Sequence, residues 1–175
     1  MRNGPDLAAW IADVVEYGAG RSDAVLLAAA WRAEDPCAVA ELAEALAPSA
    51  ERHLETMAQG KAFARVTAAA WGIAVPEAAY PVAVGVAARR LGLPLAATAT
   101  LYLQGFAANL VSAGVRLVPL GQTEGQRILA RLVPLAAAVA EAALAADADA
   151  FGGIALASDL AAMRHETQYT RLYRS

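Results

Sequence analysis

The chain has 175 residues, 58% of them hydrophobic and 18% charged, with a net charge of −3. That length suits one domain with a substantial core, and so mild a charge, with no basic stripe interleaved with aromatics, argues against a nucleic-acid partner. Cys37 stands alone, which rules out an intrachain disulfide and is compatible with a reducing compartment.

Alanine supplies much of the apolar content, and an alanine- and leucine-rich body favours closely packed helices over sheet. The opening MRNGPDLAAW has one arginine, then Pro5 and Asp6, and no apolar run. It does not read as a signal peptide, so the chain is expected to be cytoplasmic. Asp6 leads into a first helix whose Leu7, Trp10, Ile11, Val14 and Val15 share a face. Gly18 and Gly20 are expected to end it, glycine being at ease in a left-handed C-cap. Ser22 and Asp23 are placed to cap a second helix carrying Val25, Leu26, Leu27 and Trp31. Asp35-Pro36 starts a third, because the carboxylate accepts a freed amide and proline fits the first helical position. After Pro48, Ser49 caps a fourth that runs through His53, Met57, Lys61 and Arg65 to Trp71.

Residues 72–76 connect to a helix over residues 77–91, closed by Gly92, and Pro94 opens an uncharged helix. Pro119 and Gly121 break the chain before a long helix, residues 122–146, which Pro134 should kink or split. Asp147, Asp149, Gly152 and Gly153 form a loop, and a last short helix carries Ile154, Leu156 and Leu160. These helices are too numerous and too short for a coiled coil, and no repeat or linker divides them. The expected fold is all-α: a single-domain multi-helix bundle with a central buried apolar helix, over residues 1–163, followed by a partner-binding tail, 164–175. The central helix lies in residues 91–115, which carry no charge and are long enough to span a bilayer. Gln104 and Asn109 would be poorly satisfied against lipid but can be paired inside a bundle, so no membrane is expected.

Catalytic machinery is thin. His53 and His165 are more than a hundred residues apart, and neither belongs to a Glu-x-x-His or His-Glu-x-x-His pattern. His53 lies between Glu51 and Glu55, which do not share its helix face, and reads as a surface or boundary residue. Cys37, just past Asp35 at a helix start, has a setting that can lower a thiol pKa, but it reads more simply as a small buried residue. With so few soft or imidazole ligands, no metal site within one chain, no cofactor and no catalytic residue is expected; a site shared across a symmetric dimer stays open. The GQTEG stretch is not a phosphate-binding loop: Gly121 and Gly125 are too close, Gln126 replaces lysine, and helix precedes it. The two glycines suit a close backbone approach or a tight helix crossing. Gln122 and Gln126, one turn apart, are assigned to an interface. Asn109, Ser112 and Arg116 share a face, with Asn109 expected to satisfy the bend at Pro119.

The closing run MRHETQYTRLYRS is polar, aromatic and basic. Arg164, Arg171 and Arg174 charge it, Tyr169, Leu172 and Tyr173 give apolar grip, and Glu166 is its only acid. Such anchors fit an arm that docks on a partner; the plainer reading is a frayed last turn.

Ending in HETQYTRLYRS, the chain resembles the UreF family of urease accessory proteins, whose members close on HETQY-S/T-RLFRS. Residues 109–129, NLVSAGVRLVPLGQTEGQRIL, resemble the family's central NxxSAxxRLxPLGQxxGQ stretch, and MAQGKAFARV at residues 57–66 is a weaker third match. The matches keep family order over most of the chain. They depart at the start: nothing before Pro5 resembles the proline-glycine-aromatic-serine motif or the GLE-like sequence that open family members. The resemblance therefore implies an N-terminally truncated chain or a shortened member.

It further implies an all-helical, dimer-forming protein without chemistry of its own. Such a protein bridges UreD (also called UreH) and the GTPase UreG in a complex that inserts nickel into apo-urease. The tail residues Arg164, His165, Glu166, Tyr169, Arg171, Leu172, Tyr173 and Arg174 are implied to dock on UreD. Gln122 and Gln126 are expected at an interface by their spacing, and the resemblance allows Arg116 to rim a polar surface. The rival class is a small α-helical enzyme with a pocket centred on His53 or His165.

Overall fold

A computed structural model describes residues 3–146 and 152–166. Among them are eight helices and no strand: α1 (Gly4–Glu16), α2 (Ala19–Arg32), α3 (Cys37–Ala45), α4 (Ala50–Trp71), α5 (Tyr80–Arg90), α6 (Leu95–Leu117), α7 (Gln122–Ala145) and α8 (Leu156–Glu166). Among the described residues they form two compact helical units, residues 3–24 with 96–146 and 152–155, and residues 25–95 with 156–166. The all-α class expected from composition and periodicity is the class observed.

In the first unit, the predicted stripe of α1 is buried at Leu7, Ile11, Val14 and Val15. The cap is Asn3, whose side chain accepts from the Asp6 amide at 2.9 Å, and Pro5 occupies the first turn, where no amide is missed. Gly18 and Gly20 do not end α1 through a left-handed cap. Gly20 lies inside α2, where a Cβ would fall 2.7 Å from the Val15 Cα, so the glycine permits a tight corner between the helices. Ser22 and Asp23 likewise lie within α2 rather than before it. Asp23 is buried and accepts from the Tyr102 hydroxyl of α6 at 2.7 Å, which compensates part of the cost of burying a carboxylate.

The uncharged helix α6 is buried along one stripe, Ala99, Leu103, Ala107, Val111 and Gly114, at spacings of four and three. Its opposite face, with Leu101, Gly105, Asn109, Ser112 and Arg116, is exposed. Asn109 therefore does not serve the bend at Pro119. Among the described helices, α7 rather than residues 91–115 has the length and apolarity to cross a membrane. Its residues sort by face, with Gly125, Ile128, Leu132, Ala136, Val139, Ala140 and Ala143 buried, and it packs on α1. Pro134 does not break α7. The proline and Ala130, whose carbonyl loses its donor, are both exposed, so water can take the place of the missing amide.

In the second unit, α3 starts at Cys37, one residue later than expected, with Pro36 at its N-cap rather than in its first position, and the Cys37 amide donates to Asp35 Oδ1 at 3.0 Å. Ser49 caps α4 by accepting from the Arg52 amide at 3.1 Å, and Gly72, at φ +68°, ends it. Helix α5 begins at Tyr80, later than expected, because the preceding residues are docked on α4. The Tyr80 amide donates to Thr56 Oγ1 at 3.2 Å, and the Phe63 ring meets the Tyr80 ring edge-on at 5.6 Å. Between these contacts lies Gly60, against the Ala78 carbonyl. Gly85 of α5 lets the α2 backbone come near, since a Cβ there would lie 2.5 Å from the Leu27 oxygen. At the end of α2, the Arg89 guanidinium donates to the Arg32 and Ala33 carbonyls, capping orphan acceptors with a cation.

Candidate partner-docking site

Among the described residues, the expected site residues fall in two stretches, one in each unit. At the α6–α7 corner, Val118 N bonds Gly114 O at 2.8 Å and closes α6, and Gly121 caps α7 in an extended conformation. Gly125 is buried, with a Cβ position 2.8 Å from Val115 Cγ2, so this glycine serves the α6–α7 contact. Gly121 faces open space instead. Gln122 and Gln126 are exposed one turn apart, with Leu117 exposed at the end of α6. Arg116 is exposed too, its Nε donating to the Ser112 carbonyl at 3.2 Å. The exposed Arg116, Gln122 and Gln126 can each offer guanidinium or amide donors to another protein.

The second group lies on α8, which packs on α4. Leu156, Leu160 and Met163 recur at helical spacing with 64%, 43% and 47% exposure, and Ile154 just before them is exposed as well. They form one outward apolar stripe, the kind of surface that marks interaction sites. Arg164 is exposed in the last turn. His165 points instead into its own unit: Nδ1 lies 2.8 and 3.0 Å from the two carboxylate oxygens of Glu51, in the first turn of α4. Glu166 ends α8. The expected anchors Tyr169, Arg171, Leu172, Tyr173 and Arg174 lie outside the described residues.

The sequence placed Leu156 and Leu160 on a last helix, but three large apolar residues among eleven do not say whether their face is buried or turned outward. The Glu51–His165 pair, 114 residues apart in sequence, had no local signal at all. His53 is a boundary residue as expected, half-exposed with Nε2 3.7 Å from Glu44.

Cys37 is exposed rather than buried. Its hydrogen bond to the Asp35 carboxylate, with that group's charge, raises the thiol above its ordinary range, opposite to the activation its helix-start position suggests. The same hydrogen bond holds the Asp35 carboxyl below its usual range. Since the thiolate is the nucleophile, alkylation of Cys37 by iodoacetamide should reach half its limiting rate at a pH above that of an ordinary thiol. Asp35→Asn removes the adjacent negative charge and should move that midpoint down, speeding alkylation near neutrality; an unchanged rate–pH profile would sink this account.

The family model described as UreF matches residues 1–133. A urease accessory protein UreF of Cereibacter sphaeroides is 55% identical over all of this chain and 83% of its own length. Its counterpart in Roseobacter denitrificans is 49% identical over all of this chain and 80% of its own length. One from Rhodopseudomonas palustris is 50% identical over 95% of this chain and 76% of its own.

Proposed function

From the premise that the chain belongs to the UreF family, urease accessory proteins rather than enzymes, we propose that it is a scaffold for nickel insertion into apo-urease. It bridges UreD (UreH) and the GTPase UreG in the cytoplasm, works as a homodimer, and couples the nucleotide state of the GTPase to metal delivery. Nickel is cargo in this reading, not a resident cofactor. The single observation that carries it is the outward stripe of Leu156, Leu160 and Met163 on α8, which leads directly into the aromatic and basic closing segment. Stripe and anchors together suit one continuous docking surface for UreD, with buried aromatics and arginines as the main contributors. Arg116, Gln122 and Gln126 are assigned to partner binding in the first unit.

Size-exclusion chromatography with light scattering tests the reading, first on the chain alone and then mixed with its UreD. A dimer that forms a larger stoichiometric complex is the expected result. Deleting residues 167–175 leaves all of α8 in place, so circular dichroism should be nearly unchanged while the complex is lost. Arg171→Glu should weaken the complex by reversing an anchor's charge. Undiminished binding after the deletion would take the closing segment out of the mechanism.

A further inference from the structure

We propose that Glu51 is a positioning residue for partner docking: its carboxylate holds His165, and so fixes the last turn of α8 from which the closing segment departs. This rests on the reading that the closing segment docks on UreD. Helix α8 needs such a fastening, because none of its described side chains is fully buried and its larger apolar residues face outward. Little hydrophobic burial is left to hold it against α4.

The pair is well placed to supply that hold. Both carboxylate oxygens lie within hydrogen-bond distance of Nδ1, and the two side chains are only 33% and 30% exposed. Glu51 stands in the first turn of α4, an end that favours a carboxylate, and His165 in the last turn of α8. A hydrogen bond from an imidazole N–H to a carboxylate is shorter and stronger than one between two neutral groups. Next to Glu51 on α4, Arg52 pairs with Glu55 at 3.1 Å, and Arg164 precedes His165 in the last turn of α8. His165 thus acts through α8 rather than by touching the partner. A partner that meets α8 already fixed has less ordering to offset on binding.

The test uses the full chain with Glu51→Gln, Glu51→Ala, and the swap of Glu51→His with His165→Glu. Two quantities are read, the affinity for UreD and the hydrogen exchange of the α8 amides. Glutamine keeps an acceptor without the charge, so affinity should fall from the unaltered chain to Glu51→Gln and further to Glu51→Ala, where about tenfold is expected. Exchange in residues 156–166 should quicken in the same order. The swap should recover part of both losses, because it restores the pair while opposing the two helix ends. Unchanged exchange in Glu51→Ala would overturn the proposal, as would unchanged affinity in a chain whose 167–175 deletion still abolishes the complex. Should that deletion leave the complex intact, the docking reading itself fails and the positioning role with it. If Glu51→Ala does not fold, the Gln variant and the swap carry the same comparison.

Discussion

Gly60→Ala should destabilise the second unit by about 3 kcal/mol or more, or stop it folding, although in a solvent-exposed helix the same change stabilises by about 1 kcal/mol. The sign reverses because of what lies opposite. A Cβ at Gly60 would come 1.8 Å from the Ala78 carbonyl oxygen and 2.9 Å from the Tyr80 amide nitrogen. Both are backbone atoms, so no rotamer change can relieve the clash, and residues 78–80 must move away from α4. That movement breaks the bond from the Tyr80 amide to buried Thr56 and separates the Phe63 and Tyr80 rings. The effect thus joins overpacking to the loss of a hydrogen bond in a part-buried site. Urea denaturation checks the magnitude, and amide exchange at Tyr80 checks the mechanism. An alanine variant at least as stable as the parent chain would contradict the close approach.

Leu7→Ala should cost about 2–5 kcal/mol in the first unit, since Leu7 is fully buried and its truncation leaves a cavity between packed helices. Its two methyl carbons both lie 2.6 Å from where a Gly114 Cβ would be. The two positions share one space on the buried stripe of α6. Gly114→Ala alone should therefore destabilise, by about 1–3 kcal/mol, less severely than its Gly60 counterpart because a flexible side chain can yield. In the double variant the new methyl fills part of the space that Leu7 vacates. Its cost should fall short of the sum of the two single costs by about 1 kcal/mol. Denaturation of the four chains measures the coupling, and strict additivity would show that the two residues do not share this space.

These two glycines illustrate where the sequence was readable. Gly60 and Gly114 lie in alanine-rich helical runs, where local propensity registers only a weak helix former. What makes them necessary is a carbonyl contributed from eighteen residues onward in one case and a leucine more than a hundred residues back in the other. Asp23 is similar. As a charged residue after Ser22 it suggested a helix cap, yet it is buried against a tyrosine contributed by α6. Pro134 promised a break, and its solvent-facing position removed the reason for one.

By itself the sequence determined the all-α class, most helix boundaries, and through the VPLGQ and HETQY stretches the family that the matches with known relatives established. Those features depend on short-range physics: helical periodicity, the Ser49 cap, the Gly72 and Gly92 stops, and contiguous motifs. Only the tertiary structure decided that His165 is held by Glu51, that α6 buries one stripe, that Cys37 is exposed beside Asp35, and that α8 turns an apolar face outward. Each of these depends on which distant segment packs against the residue, and burial, charge pairing and steric room follow from that packing rather than from a residue's sequence neighbours.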